Sequence, residues 1–133
     1  LSQSNDNPVY YIQYAHARAC SVMRKLAEQG LDWQAGEALE SLDQLRDEHE
    51  LALLKRLDRY PEVVLGAARD CEPHTLANYL RELAGDFHTW YNAQKMLVDE
   101  KPLRDARLAL CSAVRQVIAN GLDLLGVSAP REM

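Results

Sequence analysis

The sequence has few of the residues that form metal centres, and those it has are scattered. Its 133 residues include three cysteines and four histidines. Cys20, Cys71 and Cys111 are far apart and not in CxxC spacing, so we interpret them as reduced thiols of a cytosolic protein. A zinc site needs clustered ligands, and we therefore expect no metal to be bound.

Signals for catalysis and for membrane insertion are missing as well. The sequence contains no glycine-rich phosphate loop, no GxSxG elbow and no HExxH motif. No apolar run approaches the roughly 18 residues that a membrane span needs, and the N-terminus has no signal-peptide pattern. We expect a cytoplasmic protein that catalyses no reaction by itself.

Positive charge is also scarce. The formal net charge of −5 argues against a general nucleic-acid binder, because contacts to phosphates need Lys and Arg. The charge is uneven, however: residues 37–58 carry seven acidic and three basic side chains, whereas the first helix and the C-terminal third lean basic. A local basic face on an acidic protein is therefore still compatible with the composition.

What the chain does have is helical periodicity. Apolar residues make up 47% of it and charged residues 26%, which is typical of one soluble domain over residues 1–133. Glycine and proline fall mainly between long periodic segments, and sustained strand-like alternation is absent. We predict an all-α fold, an antiparallel helical bundle of about five helices.

The helix limits follow from capping residues. Asn7 and Pro8 are suited to start the first helix, and Gly30 is suited to end it. Four further helices are predicted over residues 37–59, 61–70, 74–98 and 102–121. The predicted core stripes are Ile12, Ala15, Ala19, Val22 and Leu26; then Leu39, Leu42, Leu45, Ala52, Leu53 and Leu57; then Leu76, Tyr79, Leu80, Leu83, Phe87 and Trp90; and finally Leu103, Ala106, Leu110, Val114, Val117 and Ile118.

A second strip on the first helix combines aromatic and basic residues. Tyr11, Tyr14 and Arg18 share one flank, where exposed rings beside a guanidinium could stack unpaired bases and hold a phosphate. Spacing alone favours the other interpretation, that both tyrosines fill the rim of the core. His88 and Asn92, one turn apart, could bind base edges, but spacing alone favours a plain polar helix face.

Three blocks of sequence resemble the C-terminal, DALR-type anticodon-binding domain of arginyl-tRNA synthetases. NPVYYIQYAHAR at residues 7–18 is similar to the opening helix of that domain, and FHTWYN at 87–92 is similar to a later helical stretch. RDARLAL at 104–110, GLDLLGV at 121–127 and PREM at 130–133 resemble its last helix and its end. The blocks occur in family order and span nearly the whole chain.

The resemblance implies the fold and the partners. It implies a helical bundle that binds the anticodon stem and loop of arginine tRNA within an enzyme that joins arginine to this tRNA. It also implies that the catalytic and N-terminal domains of the enzyme are missing here, together with their HxGH-like and KMSKS-like motifs. Under this interpretation the domain itself needs no cofactor, ATP and magnesium act in the catalytic domain, and we expect a monomer.

The resemblance also implies site residues. In the family, tyrosines of the opening helix, the aromatic-His-Tyr-Asn stretch and the final Met belong to the anticodon-binding region. In this sequence they correspond to Tyr11, Tyr14, His88, Tyr91, Asn92 and Met133. Arg18 is added because of its place on the tyrosine strip. Trp90 could replace Tyr91 as the exposed ring, and the helical phase leaves that choice open.

Three other interpretations are compatible with the sequence. The chain could be the anticodon domain of another class I synthetase, although the string at residues 13–18 argues against this. It could be a protein-interaction bundle without an RNA role, with the acidic second helix contacting a basic partner. It could also be a paralogue that keeps the fold and has lost the binding site.

Overall fold

The first helix forms as its capping residues predict. In the computed structural model, which describes residues 7–133, helix α1 spans Pro8–Glu28. The side-chain oxygen of Asn7 accepts the backbone N–H groups of Val9 and Tyr10 at 3.0 and 3.4 Å, which satisfies two donors of the first turn. Gly30 follows the helix with a φ of 70°. All five predicted core positions of this helix are buried.

The second predicted helix, over residues 37–59, is wrong as a continuous element. The structure has α2 (Ala35–Glu40), a 3-10 turn (Leu42–Gln44) and α3 (Glu48–Asp58). Asp47 starts α3 by accepting the N–H of His49, and the Glu50 carboxylate accepts the N–H of Asp47. This reciprocal capping box begins a new helix, and the chain turns before it.

The burial of residues in and after α2 follows from this interruption. Because α2 is short, it buries Ala38 against the core, whereas Leu39, which was predicted to face inward, is 64% exposed. Leu45, in the connection to α3, is buried. Leu39 was predicted to face inward as part of one continuous helix, and it is exposed because α2 is a separate short helix.

The remaining helices differ from the prediction at their ends. Helix α4 spans Tyr60–Arg69 and α5 spans Pro73–Ala93, so α5 stops before Val98. Helix α6 spans Lys101–Leu124 and so runs beyond its predicted end at Gly121. Leu80 packs against the backbone of Gly121, where a Cβ would lie only 2.7 Å from a Leu80 methyl carbon. Gly126, with a φ of 75°, ends α6 instead.

Helices α1, α5 and α6 surround the centre of one hydrophobic core, α3 and α4 pack against α5, and α2 packs against α6. The predicted core positions of α5 are all buried. The all-α prediction is confirmed: residues 7–133 form six α-helices and one 3-10 turn, without a β-strand. The largest wholly buried side chains include Trp90, Phe87, Leu53, Leu80 and Leu83.

A buried carboxylate links three helices at the centre of this core. Glu50 of α3 is 1% exposed. Its Oε2 atom accepts the indole N–H of Trp90 on α5 at 3.1 Å and the Nε–H of Arg107 on α6 at 2.8 Å. Charge-assisted hydrogen bonds of this kind offset the desolvation of a buried ion pair only when the geometry is good, as it is here.

Arg107 extends this network to the end of α5. Its Nη1–H donates to the carbonyl oxygen of Lys95 at 2.6 Å, and its Nη2–H donates to the side-chain oxygen of Gln94 at 3.3 Å. The Gln94 amide in turn donates to Asp47 at 3.0 Å. Helix α5 ends at Ala93, where the backbone of Gln94 becomes extended. The hydrogen bonds of Arg107 and Asp47 hold the residues after the helix in this new direction.

Removal of one partner from the Glu50–Arg107 pair should destabilise the fold strongly. We expect Glu50→Met to lower the free energy of unfolding by about 3–5 kcal/mol, because it leaves the Arg107 charge buried and unpaired. The double variant Glu50→Met/Arg107→Met should lose less than the single variant, since neither charge remains. Urea unfolding of the three proteins measures this, and a larger loss in the double variant would contradict it.

Three helices end in the same motif, and in one of them the left-handed residue is not glycine. Gly30, Cys71 and Gly126 have φ values of 70°, 54° and 75° after α1, α4 and α6. In each case the backbone N–H of the following residue donates to a carbonyl oxygen of the helix, as that of Glu72 does to Ala67 at 2.9 Å. This is the Schellman arrangement, in which a residue with a Cβ is strained.

Replacement of Cys71 by glycine should therefore raise stability. We expect Cys71→Gly to increase the free energy of unfolding by about 0.5–1 kcal/mol, since relief of left-handed strain exceeds the added entropy of the unfolded chain. The matched control is Gly126→Ala, which has open space for a Cβ and should lose stability through backbone strain alone. If both substitutions changed the free energy of unfolding in the same direction, as measured by thermal or urea unfolding, the left-handed φ would not be the cause.

Candidate nucleic-acid interface

The candidate site starts from one flank of α1. Tyr10, Tyr14 and Arg18 follow one another at intervals of four residues, so their side chains lie one above the other. The rings of Tyr10 and Tyr14 are stacked, with centroids 6.3 Å apart and an interplanar angle of 11°. All three side chains are half-buried. For Tyr14, the structure therefore combines the rim packing and the solvent accessibility that the sequence offered as alternatives.

Below this flank lies His88 of α5, which is 8% exposed. Its ring centroid lies 4.7 Å from that of Tyr11 and 5.4 Å from that of Tyr14. Arg18 Nη1 lies 3.1 Å from His88 Nδ1, and His88 Nε2 lies 3.3 Å from the carbonyl oxygen of Tyr11. A guanidinium can only donate and a carbonyl can only accept, so Nδ1 is bare and Nε2 carries the proton.

The neutral state of His88 follows from its surroundings too. Burial lowers the pKa of His88, and the nearby charge of Arg18 lowers it further, against the opposing hydrogen bond to the Tyr11 carbonyl. A proton on Nδ1 would remove the acceptor of the Arg18 hydrogen bond and place two cations side by side. Neutral His88 thus holds the Arg18 guanidinium in position.

Arg18 lies between two aromatic rings. Its Cζ atom is 4.6 Å from the Tyr14 ring centroid and 4.5 Å from the Tyr91 ring centroid. Such contacts contribute roughly 0.5–2 kcal/mol each and fix the plane of the guanidinium. Among residues 7–133 no carboxylate lies within ion-pair distance of Arg18. Its positive charge is therefore available to a ligand.

The segment 128–133, called here the tail, lies along α1. Gln13 Nε2 donates to the Ser128 carbonyl at 2.9 Å, and Arg24 Nη1 donates to the Arg131 carbonyl at 2.9 Å. Between them, His16 Nδ1 lies 2.8 Å from the Pro130 carbonyl. Because a carbonyl only accepts, the ring donates through Nδ1. Burial lowers the pKa of this histidine, in opposition to the Pro130 bond.

The tail completes a groove next to Arg18. Its volume is about 350 Å³, and we call it the aromatic groove. Its lining residues are Tyr14, Ala17, Arg18, Ser21, Arg24, Tyr91, Glu132 and Met133. Met133 is 51% exposed and adds an apolar surface beside the two rings. A flat, unstacked base could contact the rings while Arg18 donates to its edge or to a phosphate.

The structure brings most of the predicted site residues together. Tyr14, Arg18, Tyr91 and Met133 line the aromatic groove. The sequence left open whether Trp90 or Tyr91 is the exposed ring; Trp90 is wholly buried, and Tyr91 lines the groove.

The other three predicted residues lie elsewhere. Tyr11 and His88 are beneath the groove, where they support Tyr14 and Arg18. His88 was expected on a polar helix face and is instead buried, because α1 packs over it. Asn92 is exposed and is not among the lining residues of the groove.

Sequence reasoning missed six residues of this region. Gln13 and His16 hold the tail against α1. The aromatic groove is also lined by Ala17, Ser21, Arg24 and Glu132. Ser21 and Arg24 lie three and six residues beyond Arg18, so extension of the strip along the same helix would have indicated them. The role of Gln13 and His16 carries no sequence signal, since both bind backbone carbonyls more than a hundred residues away in the chain.

Two other kinds of site have no counterpart in the described part of the chain. Within residues 7–133, no group of three or more His, Cys, Asp or Glu side chains could hold a metal ion. No helix in that range is long and apolar enough to cross a membrane.

The comparison with known families places this helical fold in the anticodon-binding class. Residues 12–133 match the family described as the DALR anticodon binding domain. Because the match covers most of the chain, the chain belongs to the DALR anticodon-binding domain family. The resemblance seen in the sequence is thereby confirmed.

The chain is similar to curated arginine–tRNA ligases. The chain is 61% identical over 132 residues to the arginine–tRNA ligase of Thioalkalivibrio sulfidiphilus and 57% identical to that of Legionella pneumophila. Each match covers 99% of this chain and 22% of the relative. The chain also superposes on Thermus thermophilus arginyl-tRNA synthetase with a TM-score of 0.82 and 37% identity, over 98% of this chain and 22% of that one. The chain thus spans about a fifth of the length of these relatives.

Acidification should destabilise the fold through its two buried histidines. The pKa values of His16 and His88 lie below the ordinary value of 6.5 in the folded chain. Between 6.5 and the lowered values, the unfolded chain binds protons that the folded chain excludes, so stability falls as the pH falls through this window. We expect a lower free energy of unfolding at about pH 5.5 than at about pH 7.5.

The variant His88→Gln tests the assignment. The glutamine amide can still accept from Arg18 and donate to the Tyr11 carbonyl, but it does not titrate. Its stability should therefore depend less on pH than that of the wild type over the same interval. An identical pH dependence in the two proteins would show that His88 is not one of the responsible groups.

Proposed function

We propose that the chain binds the anticodon stem and loop of arginine tRNA, as part of an arginine–tRNA ligase. The observation that supports this most directly is the aromatic groove, where Arg18 lies between the rings of Tyr14 and Tyr91 without a carboxylate partner. Family membership and the names of the relatives agree with this role.

Each side chain of the groove has a definite task in this proposal. A base that leaves the loop stack lies on an aromatic ring, a contact worth roughly 1–3 kcal/mol. Arg18 donates hydrogen bonds to acceptors on the base edge or on a phosphate, and Met133 covers an apolar face. Neutral His88 keeps Arg18 in position, and the tail bonds keep Met133 at the groove.

The rest of the enzyme would supply the chemistry. In the proposed ligase, ATP and magnesium act in a catalytic domain outside this chain, where arginine is activated and joined to the tRNA. The role of this chain is binding: correct anticodon contacts here favour the tRNA that presents its acceptor end to the catalytic domain. We further propose that the chain works in the cytoplasm and as a monomer, in contact with the other domains of the same enzyme.

Loss of a groove ring should weaken tRNA binding and leave the fold intact. We expect Tyr14→Leu to reduce the affinity for arginine tRNA by about 1–3 kcal/mol, the value of one base–ring stack. The matched control is Tyr60→Leu, which removes a half-buried tyrosine outside the groove. Fluorescence anisotropy with labelled tRNA gives the affinities, and circular dichroism verifies the helical fold of each variant.

A second tRNA makes this experiment decisive. Arginine tRNA with a swapped central anticodon base should bind the wild type more weakly than the natural tRNA, and Tyr14→Leu should reduce that difference. Equal binding of both tRNAs to the wild type would contradict anticodon recognition by this chain. Absence of binding at low salt would instead favour a protein-interaction bundle. Collapse of the Tyr14→Leu fold would place that ring in the core.

A further inference from the structure

A second cavity is adjacent to the aromatic groove and shares Arg24 and Glu132 with it. Its volume is about 730 Å³, and we call it the arginine cavity. Its lining residues are Cys20, Met23, Arg24, Arg115, Arg131 and Glu132. Three of these side chains are cationic and one is anionic, so the cavity is positive although the chain as a whole is acidic. The aromatic groove described above does not account for this concentration of arginines.

The three arginines lack acidic partners. Within residues 7–133, none of Arg24, Arg115 and Arg131 is within ion-pair distance of a carboxylate, and Glu132 pairs with none of them. By contrast, Arg56 and Arg107 each pair with acidic side chains. Unpaired guanidinium groups that converge on one cavity form a site for an anion with several acceptor oxygens.

One arginine of the cavity, Arg115, has a donor without a partner. Its Nε atom is buried and has no hydrogen-bond partner among the described residues. A buried donor without an acceptor costs about 1–3 kcal/mol, so natural structures seldom keep one without a reason. Arg115 and Arg131 both line the cavity, and, after burial, their positive charges also lower the pKa of the nearby His16.

The position of the cavity indicates which anion it takes. Arg24 and Glu132 line both the arginine cavity and the aromatic groove, so the two are adjacent along α1 and the tail. Arg18 and Arg24 are separated by about 9 Å along the helix axis, a short distance compared with an anticodon loop. A strand with one base in the groove would carry its neighbouring phosphates past the cavity.

From these observations we infer that the arginine cavity, through Arg24, Arg115 and Arg131, binds a backbone phosphate of the RNA whose base occupies the aromatic groove. This inference rests on the proposed function. The groove would discriminate between bases, whereas the cavity would hold the sugar–phosphate backbone irrespective of sequence. The contact would also place the basic part of an acidic protein against the RNA.

The salt dependence of tRNA binding tests this inference. Each phosphate contact contributes about 0.7–0.9 to the slope of log affinity against log salt concentration. We expect Arg115→Gln to lower that slope by about this amount and to weaken binding on the order of tenfold at low salt. The loss should be equal for arginine tRNA and for the tRNA with the swapped anticodon base, because a phosphate carries no base identity.

The matched control is Arg81→Gln, an exposed arginine of α5 that lines neither cavity. It should leave the slope unchanged. Arg131→Gln should reproduce the effect of Arg115→Gln. A second readout follows the Nε–H signal of Arg115 by NMR during addition of an anticodon stem-loop RNA, and separately during addition of inorganic phosphate.

The outcomes separate this inference from the proposed function. A shifted Arg115 signal with RNA, together with the reduced slope, supports both. If the wild type discriminates between the two anticodons but Arg115→Gln keeps the full slope, the cavity inference is overturned and the anticodon proposal stands. If inorganic phosphate shifts the Arg115 signal and RNA does not, the cavity binds a free anion and the inference is overturned. Absence of any response to either probe overturns it as well.

Discussion

The buried carboxylate of Glu50 is the interaction on which the rest of the structure depends. It accepts hydrogen bonds from Trp90 and from Arg107, so a single acidic group sets the relative position of α3, α5 and α6. The bond to Trp90 also fixes the rotation of α5 about its axis, because an indole N–H has only one direction. Its neighbour Tyr91 consequently faces α1, where its ring meets the guanidinium of Arg18. The place of Tyr91 in the aromatic groove is thus linked to a polar contact in the core.

Local signals in the sequence determine much of the fold. Asn7 with Pro8 and the later Gly30 predict both ends of α1, and the leucine and aromatic spacing of α5 predicts its buried face. The leucine spacing does not indicate the break between α2 and α3, because it continues across it. A readable signal was present, however: Asp47 and Glu50 have the spacing of a capping box.

Long-range contacts explain what the sequence could not show. Nothing local distinguishes Glu50 from the exposed acidic residues around it, since its partner Arg107 is 57 residues away. The burial of His88 depends on how α1 lies on α5, which helical periodicity does not specify. The predicted site residues came from the resemblance, except Arg18, which came from its place on the tyrosine strip. The structure then separated Tyr14, Arg18, Tyr91 and Met133, which line the groove, from Tyr11 and His88, which support it.

The attachment of the tail has a consequence for how the surface around the aromatic groove can change during evolution. Gln13, His16 and Arg24 hold residues 128–131 through main-chain carbonyl oxygens, which every amino acid possesses. Substitutions in the tail therefore alter the side chains presented to a ligand without loss of the anchoring bonds. The bonds that attach the tail thus do not depend on which side chains the tail carries, so its side chains can vary while the attachment remains constant.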